Sequence, residues 1–187
     1  MKNLLALIAL AFVAVCACKN DDETTWDEYT DWRESNEAWL IEQQARTDAD
    51  GNPYFSTIVP SWNPASYVLM HYCNDREETV GNLSPIFTST VDVRYVLTNC
   101  DGDTLDSSLN STVNGQTGIF RTRLDGVIQG WSAAIPQMRC GDSAEILIPY
   151  EMGYGGTNMG TIKPYSALRF NVRLVDIPYY ETTPQSN

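Results

Sequence analysis

The chain is poor in the side chains that make nucleophilic or metal catalysis. Its one histidine, His71, sits in a strand-like run, and there is no H-E-x-x-H, paired C-x-x-C or G-x-S-x-G pattern to set a metal ligand, a redox pair or an activated serine at working distance. His71 therefore reads as a structural or surface residue. Asp48-Ala49-Asp50-Gly51-Asn52-Pro53 has the acidic residues and glycine of a calcium loop. It lacks the distal Glu, and it reads as a turn. No metal and no cofactor is expected, and the chemistry should be neither nucleophilic nor metal-dependent.

Two of the five cysteines close an apolar N-terminal run. Met1-Lys2-Asn3 leads into an unbroken apolar stretch from Leu4 to Val15, followed by Cys16-Ala17-Cys18. Such a stretch is too short for a membrane-spanning helix, which needs about 20 residues. A positive start, a short apolar core and small residues before a cut site describe a secretory signal over residues 1–17. Val15-Cys16-Ala17-Cys18 also resembles a bacterial lipobox. Cys18 is the expected lipidation site, because Ala17 fits the small pre-cleavage position better than Val15 does. Several acyl chains on one protein hold it at a membrane. The expected location is thus the bacterial cell envelope, lipid-anchored at the outer membrane on its periplasmic or surface face. Residues 18–24 form an acidic tether, either a spacer or a patch similar to the surface-export signals of some lipoproteins.

The charge follows this division. The whole chain, 187 residues, has 24 acidic and 12 basic side chains and a net charge of −12. Residues 20–50 hold 11 acids and only Arg33 and Arg46, a net of −9, whereas residues 51–187 have a net of −5. Nucleic acid is excluded as a partner, because a polyanion needs a cationic stripe that these residues cannot supply. The apolar share of 43% is that of an ordinary globular protein.

The elements that must position any site come in two groups. Residues 25–64 read as a helical appendage and linker. Thr25-Trp26-Asp27-Glu28 fits a capping box, and the run to about Arg46 has no Gly or Pro. It places Trp26, Tyr29, Trp32 and Trp39 near one stripe, with Glu42 and Arg46 spaced as an i,i+4 pair. The stripe packs onto its own domain or serves as a partner surface, including a homodimer interface. From about residue 65 the period changes to two. Val91, Val93, Tyr95 and Leu97 share a face, as do Leu168, Phe170, Val172 and Leu174, with Arg169, Asn171 and Arg173 on the other side. Asp101-Gly102 marks a turn and Ser143 to Ile148 another strand, and only Val127 to Met138 suits a covering helix. The fold class is α+β: a curved antiparallel sheet around one short helix, with a helix before it, over residues 65–178 and then a polar tail, 179–187.

Several short segments fall in one order: Val93-Arg94-Tyr95, Asp101 to Ser108, Val127-Ile128-Gln129-Gly130-Trp131, Met138-Arg139-Cys140-Gly141, Ile148-Pro149, Gly153-Tyr154-Gly155, Ile162 to Leu168 and Phe170-Asn171-Val172. Together they resemble an FKBP-type peptidyl-prolyl cis-trans isomerase over about residues 67–178. The resemblance implies that family's sheet wrapped on a short helix, which agrees with the periodicity. It also implies a proline pocket with Trp131 as floor and Tyr95, Leu105, Phe120, Val127, Ile128, Ile162 and Phe170 as walls. Tyr154 matches the hydroxyl that donates to a substrate carbonyl, and Asp106 the carboxylate beside the twisting amide. Trp131, Tyr154 and Asp106 are thus the catalytic candidates.

The chain departs from the family pattern in three places: Leu105 stands for the usual Phe, Lys163 for a proline, and Met152-Gly153 for Leu-Ala. The family's sheet also implies a disulfide between Cys73 and Cys140, with Cys100 free. The implied activity is prolyl isomerisation of proline-containing polypeptides during folding of exported proteins. A catalytically weak or inactive peptide-binding or assembly module of the envelope is the alternative.

Overall fold

A computed structural model describes residues 21–179. The expected signal segment, Cys18 with its acyl anchor, and residues 180–187 of the polar tail lie outside the described residues. Helix α1 (Asp21–Glu28) runs into α2 (Thr30–Gln44) through a break at Tyr29, where φ −102° and ψ 19° leave helical geometry. The helix begins before Thr25, so the expected capping box does not start it. Instead the Thr25 carbonyl accepts the Tyr29 N–H at 3.2 Å, inside the helical stretch. The expected Glu42–Arg46 pair is not made. Arg46 donates to Gln43 Oε1 at 2.8 Å and lies over the Tyr54 ring at 4.1 Å, because the chain turns back at once and brings that ring within reach.

The aromatic stripe is spent on the chain's own domain. Trp32 Nε1 donates to Ser166 Oγ at 3.1 Å, and Asn36 Oδ1 accepts the Ala167 N–H at 2.8 Å. Trp26 is stacked under the Arg33 guanidinium at 3.4 Å and meets the Tyr165 ring edge-on at 5.2 Å. Leu40 and Trp39 complete a small apolar cluster with Phe55, Leu69, Leu147 and Ala167 on the sheet's outer side. The turn after α2 forms as expected: the Asp48 carboxylate accepts the N–H groups of Asp50 and Asn52, each at 2.9 Å, and Gly51 takes φ +85°.

The stretch that reads as a linker contributes strand β1 (Ser56–Ile58). It pairs with β2 (Val68–Tyr72), where His71 Nδ1 lies 2.8 Å from the Tyr54 carbonyl oxygen and its ring stacks on Tyr54 at 3.9 Å. His71 is therefore structural. The long strand β3 (Thr90–Thr98) follows, then β4 (Thr104–Ser107), the two-residue strands β5 (Thr112–Val113) and β6 (Gln116–Thr117), and β7 (Phe120–Arg123). Helix α3 (Gln129–Ala134), β8 (Ser143–Ile148) and β9 (Leu168–Asp176) complete the fold. The main sheet runs β1-β2-β8-β9-β3-β4, all antiparallel, with β7 beside the first half of β3.

The register β3–β9 pairs Val93 with Leu174, Tyr95 with Val172 and Leu97 with Phe170, so the two period-two faces coincide. The core between that face and α3 buries Val93, Leu97, Ile146, Ile148, Leu168 and Leu174 at 1% exposure or less. Each such side chain contributes about 1.5–3 kcal/mol of transfer free energy. Helix α3 is shorter than the Val127 to Met138 span because a 3₁₀ turn containing Pro136 ends it. It lies tight on β8: a Cβ at Gly130 would be 2.4 Å from Ile148 Cγ2.

The Cys73–Cys140 disulfide is not formed, and Cys73, Cys100 and Cys140 are all free thiols. The expected strand adjacency is real, since the Cys73 N–H donates to Ser143 O at 2.8 Å. The side chains, however, are on opposite faces. Tyr72 packs toward the core, so its neighbour Cys73 faces out, while Cys140 packs against the core side.

Candidate active site

A cavity of about 550 Å³ opens between the dry face of the sheet and the N-terminal end of α3. Strand β3 turns Tyr95 and Leu97 into it, β9 Phe170, β7 Phe120 and β4 Asp106. The segment Gly126–Ile128 and Trp131 supply the helix side, and Tyr154 stands on the loop that follows β8. The rings form an edge-to-face box: Trp131 lies 5.2 Å from Phe170 and 5.3 Å from Tyr95, and Tyr95 lies 5.7 Å from Phe120. Such edge-on pairs put the positive rim of one ring on the negative face of the next, which rigidifies an apolar cup. Trp131 is its floor, only 4% exposed. Its Nε1 is buried without a hydrogen-bond partner among the described residues.

Three polar features converge on this cup. Asp106 is held at both oxygens: Oδ2 accepts the Tyr95 hydroxyl at 2.6 Å and Oδ1 accepts the Ser107 N–H at 2.8 Å. Burial first, then the bond to Asp106 and its charge, push the Tyr95 hydroxyl far above its ordinary range, so it stays a neutral donor. Burial, then the charge of Asp106, also raises the Tyr154 hydroxyl. That hydroxyl makes no hydrogen bond among the described residues, and neither does the backbone N–H of Ile128 ahead of α3. The cup therefore offers two unused donors and one fixed carboxylate around an apolar floor.

Of the ten residues expected here, eight line the cavity: Tyr95, Asp106, Phe120, Val127, Ile128, Trp131, Tyr154 and Phe170. Leu105 and Ile162 do not. Ile162 is 6% exposed within the core, and Leu105 is half-buried against the same core cluster. Leu97 and Gly126 are lining residues that the expectation omitted. Leu97 was readable from the alternation that puts it on the same face as Tyr95. Lys163, one of the departures from the family pattern, points to the N-terminal helix: its Nζ lies 4.4 Å from the Trp32 ring centroid.

A sequence model described as FKBP-type peptidyl-prolyl cis-trans isomerase matches residues 84–175. The chain is 38% identical over 98 residues to the macrophage infectivity potentiator of Trypanosoma cruzi, covering 52% of this chain and 47% of that protein. It is 32% identical over 100 residues to FK506-binding protein 1 of Dictyostelium discoideum, covering 53% of this chain and 90% of that one. Its fold is similar to the crystal structure of FkpA from Escherichia coli, with a TM-score of 0.63 and 25% identity over 83% of this chain and 63% of that one. The chain thus spans about half the length of the Trypanosoma protein and nearly all of the Dictyostelium one.

Proposed function

Because this chain belongs to the FKBP-type peptidyl-prolyl cis-trans isomerase family, we propose that its cavity accelerates rotation about X-Pro peptide bonds of proline-containing polypeptides. The observation that carries the proposal is an aromatic cup holding one fixed carboxylate and two free donors. An X-Pro bond crosses a barrier of about 18–20 kcal/mol because twisting destroys amide resonance. The planar ground state has the more polar carbonyl, and water stabilises it. Seating the proline ring on Trp131 removes that water. Tyr154 Oη–H and the Ile128 N–H hold the flanking carbonyls while the amide turns, so the twisted state is bound better than either isomer. Asp106, locked by Tyr95 and Ser107, sits beside the rotating bond and cannot swing into the proline seat.

A protease-coupled assay on an X-Pro tetrapeptide, with the full chain in detergent, tests this. Isomerisation should accelerate in proportion to protein, and Asp106→Ala should reduce it without loss of the folded signal. The second reading, a peptide-binding module with little catalysis, is favoured by one observation: Leu105, which stands where the family pattern has Phe, does not line the cavity. Binding of the peptide without any acceleration would select it.

Lipid anchoring through Cys18 and a place in the cell envelope belong to the same proposal. Their support is the lipobox-like Val15-Cys16-Ala17-Cys18 behind a short apolar run. Metabolic labelling with a palmitate analogue, lost in Cys18→Ala and kept in Cys16→Ala, is the expected result.

A further inference from the structure

The sheet carries a second concavity, of about 350 Å³, on the face away from the aromatic cup. On it Arg94 of β3 stands directly opposite Arg173 of β9 in the antiparallel register. That arrangement brings their Cβ atoms to about 4.5–5.5 Å. Both side chains are exposed, and among the described residues neither has a hydrogen bond, an ion pair or an aromatic partner. The other eight described basic side chains each hold a carboxylate, an amide or carbonyl oxygen, or a ring.

Like charges placed directly opposite destabilise a sheet. The chain has 24 acidic residues from which a neutralising partner could have come. The carboxylates on β3, β9 and the adjoining β8 are engaged elsewhere. Asp92 is bound by Arg121 at 2.6 Å, Glu145 by Arg169 at 2.7 Å, and Asp176 accepts the Ile177 N–H at 2.8 Å. Two guanidinium forks, five N–H donors each, thus remain open side by side on a strongly acidic protein.

We infer that this groove binds the carboxylate side chains of an acidic polypeptide segment. A guanidinium fork matches a carboxylate with two parallel hydrogen bonds, and two adjacent forks suit two successive acidic side chains. The surroundings point to a peptide instead of a small anion: Leu109, 65% exposed, borders the arginines. Ser143 and Asn171 add neutral polar groups at the same groove. An aliphatic residue between carboxylates covers Leu109, which an inorganic ion leaves bare. Tyr95 belongs to both sites, with its ring in the cup, yet the groove does not depend on isomerase activity.

Fluorescence anisotropy of a labelled, proline-free peptide alternating Glu and Leu, titrated with the full chain, tests the inference. Saturable binding is expected, weakened at least tenfold in the double variant Arg94→Gln/Arg173→Gln and by added salt. Arg123→Gln, which removes a charge elsewhere, should leave it unchanged. Absence of binding, or equal binding by the double variant, overturns the inference. So does displacement by phosphate beyond that by chloride of equal ionic strength, or displacement by phosphatidylglycerol vesicles that the Arg94→Gln/Arg173→Gln variant no longer binds, since the site would then serve a different anion. Melting gives an independent check. Arg94→Gln relieves the facing charges and should leave the melting temperature unchanged or raise it, and a fall would make the pair structural and overturn the assignment.

Discussion

Replacing Tyr154 by Phe removes one oxygen from the cavity wall and leaves the ring that packs against the core. Because the hydroxyl has no partner among the described residues, no internal hydrogen bond is lost. Folding stability should change by less than about 0.5 kcal/mol. The catalytic effect is different in kind. Burial and the charge of Asp106 keep this hydroxyl protonated, so it acts as a neutral donor, whose net hydrogen bond is worth about 0.5–1.5 kcal/mol. Lost from the transition state alone, that corresponds to a kcat/KM lower by roughly two- to thirteenfold. NMR exchange spectroscopy on an X-Pro peptide reads the rate with no protease present, and thermal melting reads stability on the same sample. Tyr95→Phe is the contrast. It deletes a 2.6 Å donation to a carboxylate, a bond to a charged group worth about 1.5–3 kcal/mol, so activity and melting temperature should fall together. Full activity in Tyr154→Phe would show that the hydroxyl is not used. A marked drop in its melting temperature would refute the claim that the hydroxyl is unpartnered.

Gly130→Ala should destabilise the fold by about 1–3 kcal/mol, because its Cβ would lie 2.4 Å from Ile148 Cγ2 and 2.5 Å from Cδ1; a denaturant titration with unchanged midpoint would contradict this. Asp142 is buried, and burial alone would raise its carboxyl. Hydrogen bonds from Thr79 (2.6 Å), the Arg139 N–H (2.8 Å) and Asn74, with the charge of Arg76, outweigh that and hold it below its usual value. A depressed carboxyl stabilises the fold fully above its unfolded pKa of about 3.9, and that contribution is lost as pH falls through the lower folded value. Asp142→Asn should accordingly flatten the loss of stability below about pH 4, measured by melting across pH. With Cys73 exposed and unbonded, peptide mapping after brief native maleimide treatment should find Cys73 labelled ahead of Cys140, with the same result whether or not reductant is added first.

The alternation of Val91 to Leu97 and of Leu168 to Leu174 made the two central strands, and the face each buries, readable without coordinates. A period of two leaves no other way to put those residues on one side. The ordered segments around Trp131, Tyr154 and Asp106 made most of the cup legible through their resemblance to the family, since each is a short local pattern. Failures came where distant segments compete for a side chain. Arg46 left its helical partner for Tyr54 once the Asp48 turn brought that ring close. Ser56–Ile58 became an edge strand because β2 offered an unpaired side, which no feature of that tripeptide announces.

The cysteines and the aromatic helix mark the same boundary. The family resemblance implied that Cys73 ends a strand adjoining the one after Cys140, yet the pleat put the two thiols on opposite faces. Sequence alone determined helical structure carrying Trp26, Trp32 and Trp39, though not the break at Tyr29 that divides it. Which surface they would cover depended on Ser166, Ala167 and Tyr165, more than 120 residues away. Local periodicity is dictated by backbone geometry and so is written in neighbouring residues. Partner choice between faces is a comparison of free energies among all surfaces the chain brings together, and only the closed tertiary structure makes that comparison.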